Sequence, residues 1–382
     1  MCATCAIRYG AMHGVSFATS PTTVVCNQRA RPDDERPLAR VAGKTQRMSE
    51  HLRIAIVGAG AIGGWIGARL SASGHDVSAL ARGATLAALR EHGFRTHEAQ
   101  RVLTARVVAS DRATDLGVQD LVFITVKQPA LAEVADALVQ LTGPQTILVS
   151  AMNGVPWWFF AGIDPAQGGP RSVWTPLQSI DPGGTLCARM PAERILGCVV
   201  HASCTTQSPG DVVHKGGNGL ILGEAAGGPS ARLSRVVRML EGAGFDATAS
   251  ERIQKDIWYK LWGNMTMNPI SAFTGATCDR ILDDELVNRY VQQVMAEAAQ
   301  IGSRIGCPIT ESARDRIEVT RRLGAFKTSM LQDVEAGRAL ELDALLAAPR
   351  EIAARVDVAT PAMDALLGLT RLFARMRGLY PH

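Results

Sequence analysis

Apolar residues follow two different spacings along this chain of 382 residues. From residue 52 to about 150, short apolar runs alternate with amphipathic stretches. The clearest runs, 121–126 and 146–150, flank a helical pattern at about 130–141. This order predicts strand, helix, strand, helix, strand, helix and strand, which is typical of a parallel sheet covered on both faces.

The later part of the chain changes from strand to helix spacing. Residues 195–204 are strand-like and residues 209–224 have a hairpin-like pattern, so we expect antiparallel strands to extend the sheet. From Ile253 onward the spacing is helical. Breaks between these helices are expected at Pro269, Pro308, Pro349 and Pro361.

These patterns predict an α/β fold in two domains. A Rossmann-type dinucleotide-binding domain over residues 50–248 is followed by an all-α domain over residues 249–382. Residues 1–49 are punctuated by prolines and charges and have no clean period, so we expect a disordered extension there. Met48 begins the sequence MSEHLRIAIVG, and translation starting at that methionine is a hypothesis.

One segment has an unusual composition. Residues 155–190 carry three of the six tryptophans in a setting rich in proline and glycine. Such an aromatic loop could line a substrate pocket or pack on the domain surface. The sequence leaves both interpretations open.

Bulk composition narrows the class of protein. The formal net charge is +4 and the arginines are dispersed, which gives no reason to expect a nucleic-acid or membrane partner. The eight cysteines are scattered without paired spacing, which favours reduced thiols in the cytoplasm. We expect no metal, since no histidine, cysteine and carboxylate cluster has ligand spacing.

A glycine-rich turn follows the first apolar run, in LRIAIVGAGAIGG. Gly58, Gly60 and Gly63 stand in a G-x-G-x-x-G frame between a predicted strand and a predicted helix. The first glycine permits a tight turn, the second lets the backbone approach a pyrophosphate, and the third allows close packing of helix on strand. The whole turn is predicted to bind a dinucleotide, and its other residues are Ala59, Ala61 and Ile62.

The residue after the second predicted strand indicates which dinucleotide binds. Arg82 stands where an NAD-preferring domain usually has an acidic residue for the ribose 2′-OH. A guanidinium can bind the oxygens of a 2′-phosphate in two places. We therefore predict NADP(H); the alternative is a solvated surface arginine.

The segment ERIQKDIWYKLWGNMTMNPISAFTG has the most informative polar pattern. In a helix, Lys260, Asn264 and Asn268 are four residues apart and project from one face as a polar ridge. Pro269 is expected to close that helix. An ammonium and two carboxamides on an apolar helix are costly to bury without polar partners, so a functional ridge is favoured over a solvated stripe.

Several of these stretches together resemble the ketopantoate reductase (2-dehydropantoate 2-reductase) family. GAGAIGG, the lysine after the ITV strand, the NG of SAMNGV, KLWGNMTMNP and SMLQDVEAGRALELDAL occur in that order between about residues 52 and 376. The resemblance implies NADPH-dependent reduction of a small-molecule 2-keto acid. It also implies a Rossmann domain joined to a helical domain, with catalysis in the cleft between them.

The resemblance also implies roles for individual residues. Lys260 matches the family's catalytic lysine, which gives a proton or hydrogen bond to the ketone oxygen. The residues that match substrate-binding positions are Asn264, Asn268, Ser329 and Asn153. The residues that match the cofactor side of the cleft are Lys127, Asn153, Glu341 and the turn Gly58–Gly63.

The chain departs from the family's pattern at two places. Cys278 stands where the family has a further substrate-binding asparagine, and the PWWFF segment replaces a short helical link. Reduction of a different 2-keto or hydroxy acid is therefore an alternative. A non-catalytic NADP-binding sensor is a second alternative, disfavoured because Lys260, Asn264, Ser329 and Glu341 occur together. The oligomeric state is left open, with a homodimer as one outcome.

Overall fold

A computed structural model describes residues 51–99, 101–163 and 175–381. The predicted disordered extension (1–49), the start hypothesis at Met48, and Trp174 lie outside the described residues.

Ten strands form one mixed sheet in the described part of the chain. They are β1 (Arg53–Val57), β2 (Asp76–Leu80), β3 (Phe94–Glu98), β4 (Arg101–Ala105), β5 (Val108–Ser110), β6 (Gln119–Ile124), β7 (Thr142–Ser150), β8 (Ile195–Ser208), β9 (Asp211–Glu224) and β10 (Asp246–Ala249). Their order is β4-β3-β9-β8-β7-β6-β1-β2-β5, and β10 also pairs with β9. The strands β5, β2, β1, β6, β7 and β8 are parallel to their neighbours in that part of the order.

Helices cover the sheet and then form the rest of the chain. They are α1 (Ala61–Ala72), α2 (Gly83–His92), α3 (Leu131–Gln140), α4 (Thr185–Arg189), α5 (Ala231–Gly242), α6 (Ile253–Thr274), α7 (Cys278–Asp283), α8 (Glu285–Arg304), α9 (Ala313–Arg321), α10 (Ser329–Glu335), α11 (Ala348–Arg355) and α12 (Pro361–Met376). None of these helices has both the length and the apolar character needed to cross a bilayer.

The predicted α/β class and order of the two parts are confirmed. The last strand ends at Ala249, and α6 begins the helical part at Ile253. The predicted strands and helix between 121 and 150 correspond to β6, α3 and β7. The domain boundary at residue 248 stays a prediction.

The prediction for residues 94–110 is wrong in part, because the chain does not simply alternate strands and helices there. β3 and β4 form an antiparallel hairpin, and β3 runs parallel to the distant β9, with Arg95 opposite Asp211. Phe94 is 1% exposed and Thr96 is fully buried, while the residues between and after them are partly exposed. Polar and charged residues in these short strands mask the alternation that would have predicted them.

The hairpin predicted within residues 209–224 is also placed differently. β8 and β9 pair antiparallel along their length, from Leu196 opposite Glu224 to Ser208 opposite Asp211. The turn therefore lies at Pro209 and Gly210, and residues 211–224 are a single strand. The glycines within β9 coincide with irregular register rather than with a reversal of the chain.

Pro269 does not close the ridge helix, which is a correction to the sequence prediction. α6 continues to Thr274, and its C-cap is Gly275 in a left-handed conformation. Most positions of α6 on either side of this proline, from Leu261 to Phe273, are buried. Burial of the helix in the core therefore outweighs the hydrogen bond that proline cannot donate. Breaks at Pro308 and Pro361 are confirmed, since Pro308 lies between α8 and α9 and Pro361 lies in the first turn of α12. The break predicted at Pro349 is wrong, because the π-helical turn Asp343–Ala347 continues directly into α11 and residue 347 is itself helical.

The described part of the tryptophan-rich segment belongs to the core. Trp157, Trp158 and Phe159 are 5%, 3% and 0% exposed, and they join the apolar cluster that also contains Trp258 of α6. The Trp158 ring packs so closely on β8 that a Cβ at Gly197 would lie 2.9 Å from its Cζ2. These two tryptophans thus connect the sheet to the helical part, rather than lying on the domain surface.

The glycine-rich turn has the structure that the sequence predicts. Gly58 follows β1 with φ of +98°, and a Cβ there would lie 2.7 Å from the backbone nitrogen of Val126. A Cβ at Gly63 would overlap the carbonyl oxygen of Gly58 and lie 2.5 Å from Thr125 Oγ1. Side chains at both positions would separate α1 from β1 and β6, so glycine maintains the close packing.

Candidate active site

The carboxyl ends of three neighbouring parallel strands bring the predicted residues together. Gly58 follows β1, Lys127 follows β6 and Asn153 follows β7, and these strands are adjacent in the sheet. Loops at such ends are the usual ligand-binding edge of an α/β sheet. The hydrogen bond between Lys260 of α6 and Asn153 of the loop after β7 places this edge beside the helical part of the chain.

A small, narrow cleft lies between this edge and α6. The loop after β7 and the strand β8 form one side of the cleft, and four residues of α6 form the other. The lining residues are Met152, Asn153, Gly154, Val199, Ile257, Lys260, Leu261 and Asn264.

Lys260 is fixed in this cleft by two oxygens. Its Nζ donates to Asn153 Oδ1 at 2.9 Å and to the carbonyl oxygen of Val200 at 2.7 Å. Burial lowers the pKa of the ammonium to about 8, although Cys198 and Glu341 act to raise it. An ammonium has three N–H groups, so one remains for a ligand in the cleft.

The predicted polar ridge of α6 reaches the cleft in part. Lys260 and Asn264 both line the cleft, as their spacing on one helix face predicts. Asn268 is 6% exposed and lies one turn further along α6, outside the lining residues. Its role in substrate binding stays a prediction.

The loop that carries Asn153 is clamped against the C-terminal part of the chain. The N–H of Val155 donates to the carbonyl oxygen of Ala344 at 2.9 Å. Gly154 has φ of +78°, and a Cβ there would lie 2.5 Å from the same oxygen. Ala344 belongs to a π-helical turn, Asp343–Ala347, that closely follows Glu341. The position of Asn153 therefore depends on a glycine at residue 154.

Glu341 lies at the same edge and is 8% exposed. Its Oε1 accepts the backbone N–H of Gln128 at 3.2 Å. Burial raises the pKa of this carboxyl group, while Lys127, the Gln128 N–H and Lys260 act in the opposite direction. The structure therefore places Glu341 beside Lys127, as the resemblance implies for the cofactor side.

Two charged residues at this edge, Asp333 and Arg338, were missed by the sequence reasoning. Asp333 of α10 is 4% exposed, forms an ion pair with Lys127, and accepts from Arg338 Nε at 3.0 Å. The spacing of polar and apolar residues around Asp333 and Arg338 gives no indication that either residue is functional. Both do lie within the stretch SMLQDVEAGRALELDAL, which is the one signal that could have found them.

Ser329 and Cys278 lie outside the cleft lining. Ser329 is exposed at the start of α10, behind the N-cap Thr328, whose side chain accepts the N–H of Leu331. Cys278 is 2% exposed at the start of α7, and burial raises the pKa of its thiol to about 11. The departure at Cys278 therefore gives a core residue, and the substrate role of Ser329 stays a prediction.

The strand-end edge fits a dinucleotide. A Cβ at Gly60 would meet nothing within 4 Å, so the backbone at the start of α1 faces open space into which a phosphate can approach. Gly60 is the N-cap of α1 and has no side chain to satisfy the helix N–H groups. Arg82 lies beyond β2 and pairs with Glu133 at 2.9 Å, with both side chains more than half exposed. Such a pair is weak and can be exchanged for a phosphate.

Replacing Gly154 with alanine should disturb the clamp on the Asn153 loop. Gly154→Ala is expected to lower the free energy of unfolding by about 3 kcal/mol, because the new Cβ meets Ala344 and because a positive φ strains alanine. Gly183 is the control, because it has φ of +72° but a Cβ there would meet nothing within 4 Å. Gly183→Ala therefore introduces the backbone strain without the clash and should lower the free energy of unfolding by about 1 kcal/mol. Urea denaturation of both variants measures the difference; equal losses would contradict the clash.

Comparisons with known proteins agree with this geometry. The family model described as ketopantoate reductase PanE/ApbA matches residues 54–156, and the model of its C-terminal part matches residues 252–374. A 2-dehydropantoate 2-reductase of Mesorhizobium japonicum is 40% identical over 330 residues, which cover 86% of this chain and 100% of that protein.

Solved structures give the same result. A structure from Ralstonia solanacearum MolK2, named as a candidate ketopantoate reductase, is 54% identical with a TM-score of 0.81, covering 86% of this chain and 99% of that one. A ternary structure of D-mandelate dehydrogenase with NADH and anilino(oxo)acetate has a TM-score of 0.72 over 86% of this chain and 99% of its own, and at 19% identity it shows the fold alone. This chain belongs to the ketopantoate reductase family, whose members are dinucleotide-dependent oxidoreductases acting on CH–OH groups.

Proposed function

We propose that this protein reduces a 2-keto acid with NADPH, and that 2-dehydropantoate, which becomes pantoate, is the favoured substrate. The observation that carries the proposal is the Lys260 ammonium, held by Asn153 Oδ1 and Val200 O at the wall of the cleft. The name of the Mesorhizobium relative supports the choice of substrate.

Lys260 has the chemistry that ketone reduction requires. Reduction places negative charge on the carbonyl oxygen, and a fixed cationic donor aimed at that oxygen lowers the barrier. When bound, the reduced nicotinamide supplies the hydride to the carbonyl carbon. The remaining N–H of Lys260 gives its proton to the oxygen as the carbonyl π bond breaks, which leaves an alcohol and a neutral amine. Water then reprotonates the amine.

The residues at the strand-end edge would hold the dinucleotide. The turn Gly58–Gly63 and the start of α1 would bind the pyrophosphate, and Arg82 would bind the 2′-phosphate. The nicotinamide side would contact Lys127, Asn153 and Glu341. The open space over Gly60 supports the first of these assignments.

Asn264 and Asn153 are the carboxamides best placed for substrate, because both line the cleft with Lys260. Amide N–H groups can donate to the carboxylate or hydroxyl oxygens of a 2-keto acid. Asn268 and Ser329 complete the proposed substrate set from outside the cleft lining.

The proposal is tested by steady-state oxidation of NADPH against a panel of 2-keto acids that includes 2-dehydropantoate. We expect the highest kcat/KM for 2-dehydropantoate. A higher value for another acid would establish the related-reductase alternative, which the Cys278 and PWWFF departures motivate. Tight NADPH binding without turnover of any acid would establish the sensor.

The proposal also includes a cytoplasmic location and assembly as a homodimer. Helix α12 exposes Leu369, Leu372 and Met376, which are 61%, 59% and 77% exposed and three or four residues apart. A second copy packed on that face would remove these side chains from water.

Lys260→Ala should lower kcat by about 100-fold or more, because both the proton donor and the charge opposite the developing alkoxide are lost. Lys255 is an exposed lysine of the same helix, so Lys255→Ala is the matched control and should keep kcat within about twofold. The measurement is kcat at saturating NADPH and keto acid. An unchanged kcat in Lys260→Ala would show that another group donates the proton.

The pH profile gives a second measure of the same role. Burial lowers the pKa of Lys260 to about 8, so the protonated form required for reduction is lost above that pH. The charged and titratable groups around this ammonium are Glu341, Cys198 and His201. Burial raises the pKa of the Cys198 thiol to about 12. Burial and nearby cations lower the pKa of His201 to about 4. We expect kcat to fall about tenfold per pH unit above pH 8 in the native enzyme, and this descending limb to be absent in Lys260→Ala.

Arg82→Ala should reduce kcat/KM for NADPH by about tenfold or more and leave that for NADH nearly unchanged, because only NADPH has the 2′-phosphate. Glu133→Gln breaks the same surface ion pair but keeps the guanidinium, so it should leave kcat/KM for NADPH within about twofold. The kcat/KM of each variant is measured with both dinucleotides. Equal losses for the two dinucleotides in Arg82→Ala would remove the 2′-phosphate assignment.

A further inference from the structure

A buried carboxylate joins the strand-end edge to the helical part of the chain. Asp333 lies in α10, and each of its oxygens contacts a cation: Oδ2 contacts Lys127 Nζ, and Oδ1 lies 3.0 Å from Arg338 Nε. Only 4% of Asp333 is exposed. A carboxylate buried to this extent requires charge-paired partners.

Arg338 is the local partner of this carboxylate. Its backbone N–H donates to the carbonyl oxygen of Asp333 at 2.9 Å, so the turn after α10 fixes the two residues together. One guanidinium balances the charge of one carboxylate. Lys127, which comes from the distant loop after β6, is therefore a second cation that Asp333 does not need for neutrality.

Lys127, in contrast, depends on Asp333 for its position. Its side chain is 39% exposed and is a flexible four-carbon stem, so without that partner the ammonium would sample many positions in water. The next residue, Gln128, donates its backbone N–H to Glu341 Oε1 at 3.2 Å. The loop after β6 is thus held at a side chain and at the backbone, in both cases by an acidic residue of the segment 333–341.

We propose that Asp333 is a positioning residue for the nicotinamide dinucleotide, which it serves by holding the Lys127 ammonium at the cofactor side of the cleft. The inference rests on the proposed function, in which Lys127 contacts the cofactor. The ion pair leaves Lys127 two N–H groups for hydroxyl or carboxamide oxygens of the dinucleotide.

The test compares Asp333→Asn, Lys127→Met and the double variant by titrating each with NADPH and following protein fluorescence in the absence of keto acid. We expect each single variant to raise the Kd for NADPH about tenfold, and the double variant to bind no more weakly than Lys127→Met, because both changes remove the same contact. Asp333→Glu, which keeps the charge, should recover part of the affinity. Glu335 lies in the same helix as Asp333 and forms an exposed ion pair with Lys327, which precedes the helix. Glu335→Gln breaks this pair and should leave the Kd for NADPH unchanged.

A thermal melt of each variant separates positioning from stability. A lower Tm for Asp333→Asn with an unchanged Kd would show a purely structural role and overturn the inference, as would losses that add in the double variant. If Asp333→Asn does not fold, Asp333→Glu alone and combined with Lys127→Met completes the same cycle. Because the titration contains no keto acid, absence of turnover would overturn the proposed function while this binding test still decides the role of Asp333.

Discussion

The arrangement of the cleft depends on one buried ammonium and on the two oxygens that hold it. Lys260 Nζ reaches from α6 to Asn153 in the loop after β7 and to the backbone of Val200 in β8. Its partners here are neutral oxygens, so burial disfavours the charged form and brings its pKa to about 8. In the proposed reaction, such a pKa would suit Lys260 as a proton donor, because proton transfer is most efficient when the pKa of the donor lies near the pH of the reaction. The same contact also joins the sheet edge to the helical part of the chain.

The loops after β6 and β7 are both held by residues near the C-terminus. The loop after β7 is clamped through Gly154 and Val155 on Ala344, and the loop after β6 is held by Asp333 and Glu341. These anchors all lie between residues 333 and 344, where one short segment contacts both loops. The loops of the proposed cofactor side and of the proposed substrate side are consequently positioned by the same segment, although the strands that carry these loops belong to the other half of the fold.

The parts of the site that could be predicted from sequence are those that follow local rules. Strand ends in a parallel sheet place Lys127 and Asn153 at one edge, and helical spacing places Lys260 and Asn264 on one face. Pro269 departs from its local rule because burial of α6 in the core outweighs the cost of a proline within the helix.

Other parts of the structure depend on contacts between residues far apart in sequence, which periodicity cannot detect. The pairing of β3 with β9 and the ion pair of Asp333 with Lys127 are of this kind. Asn268 shows that helical spacing alone does not define the site. It lies on the same helix face as Lys260 and Asn264, two turns beyond Lys260, but it does not line the cleft.

The position of β3 in the sheet has a consequence for how the chain reaches its native state. β3 lies between β2 and β5 in sequence, yet it pairs with β9. Arg95 can therefore pair with Asp211 only after residue 211 has left the ribosome. Until then the hairpin of β3 and β4 has an unpaired edge, although Phe94 can already pack against Gly67 of α1. Contacts of such long sequence separation slow folding and expose intermediates to aggregation. During synthesis, the sheet therefore cannot be completed until β9 and β10 have left the ribosome.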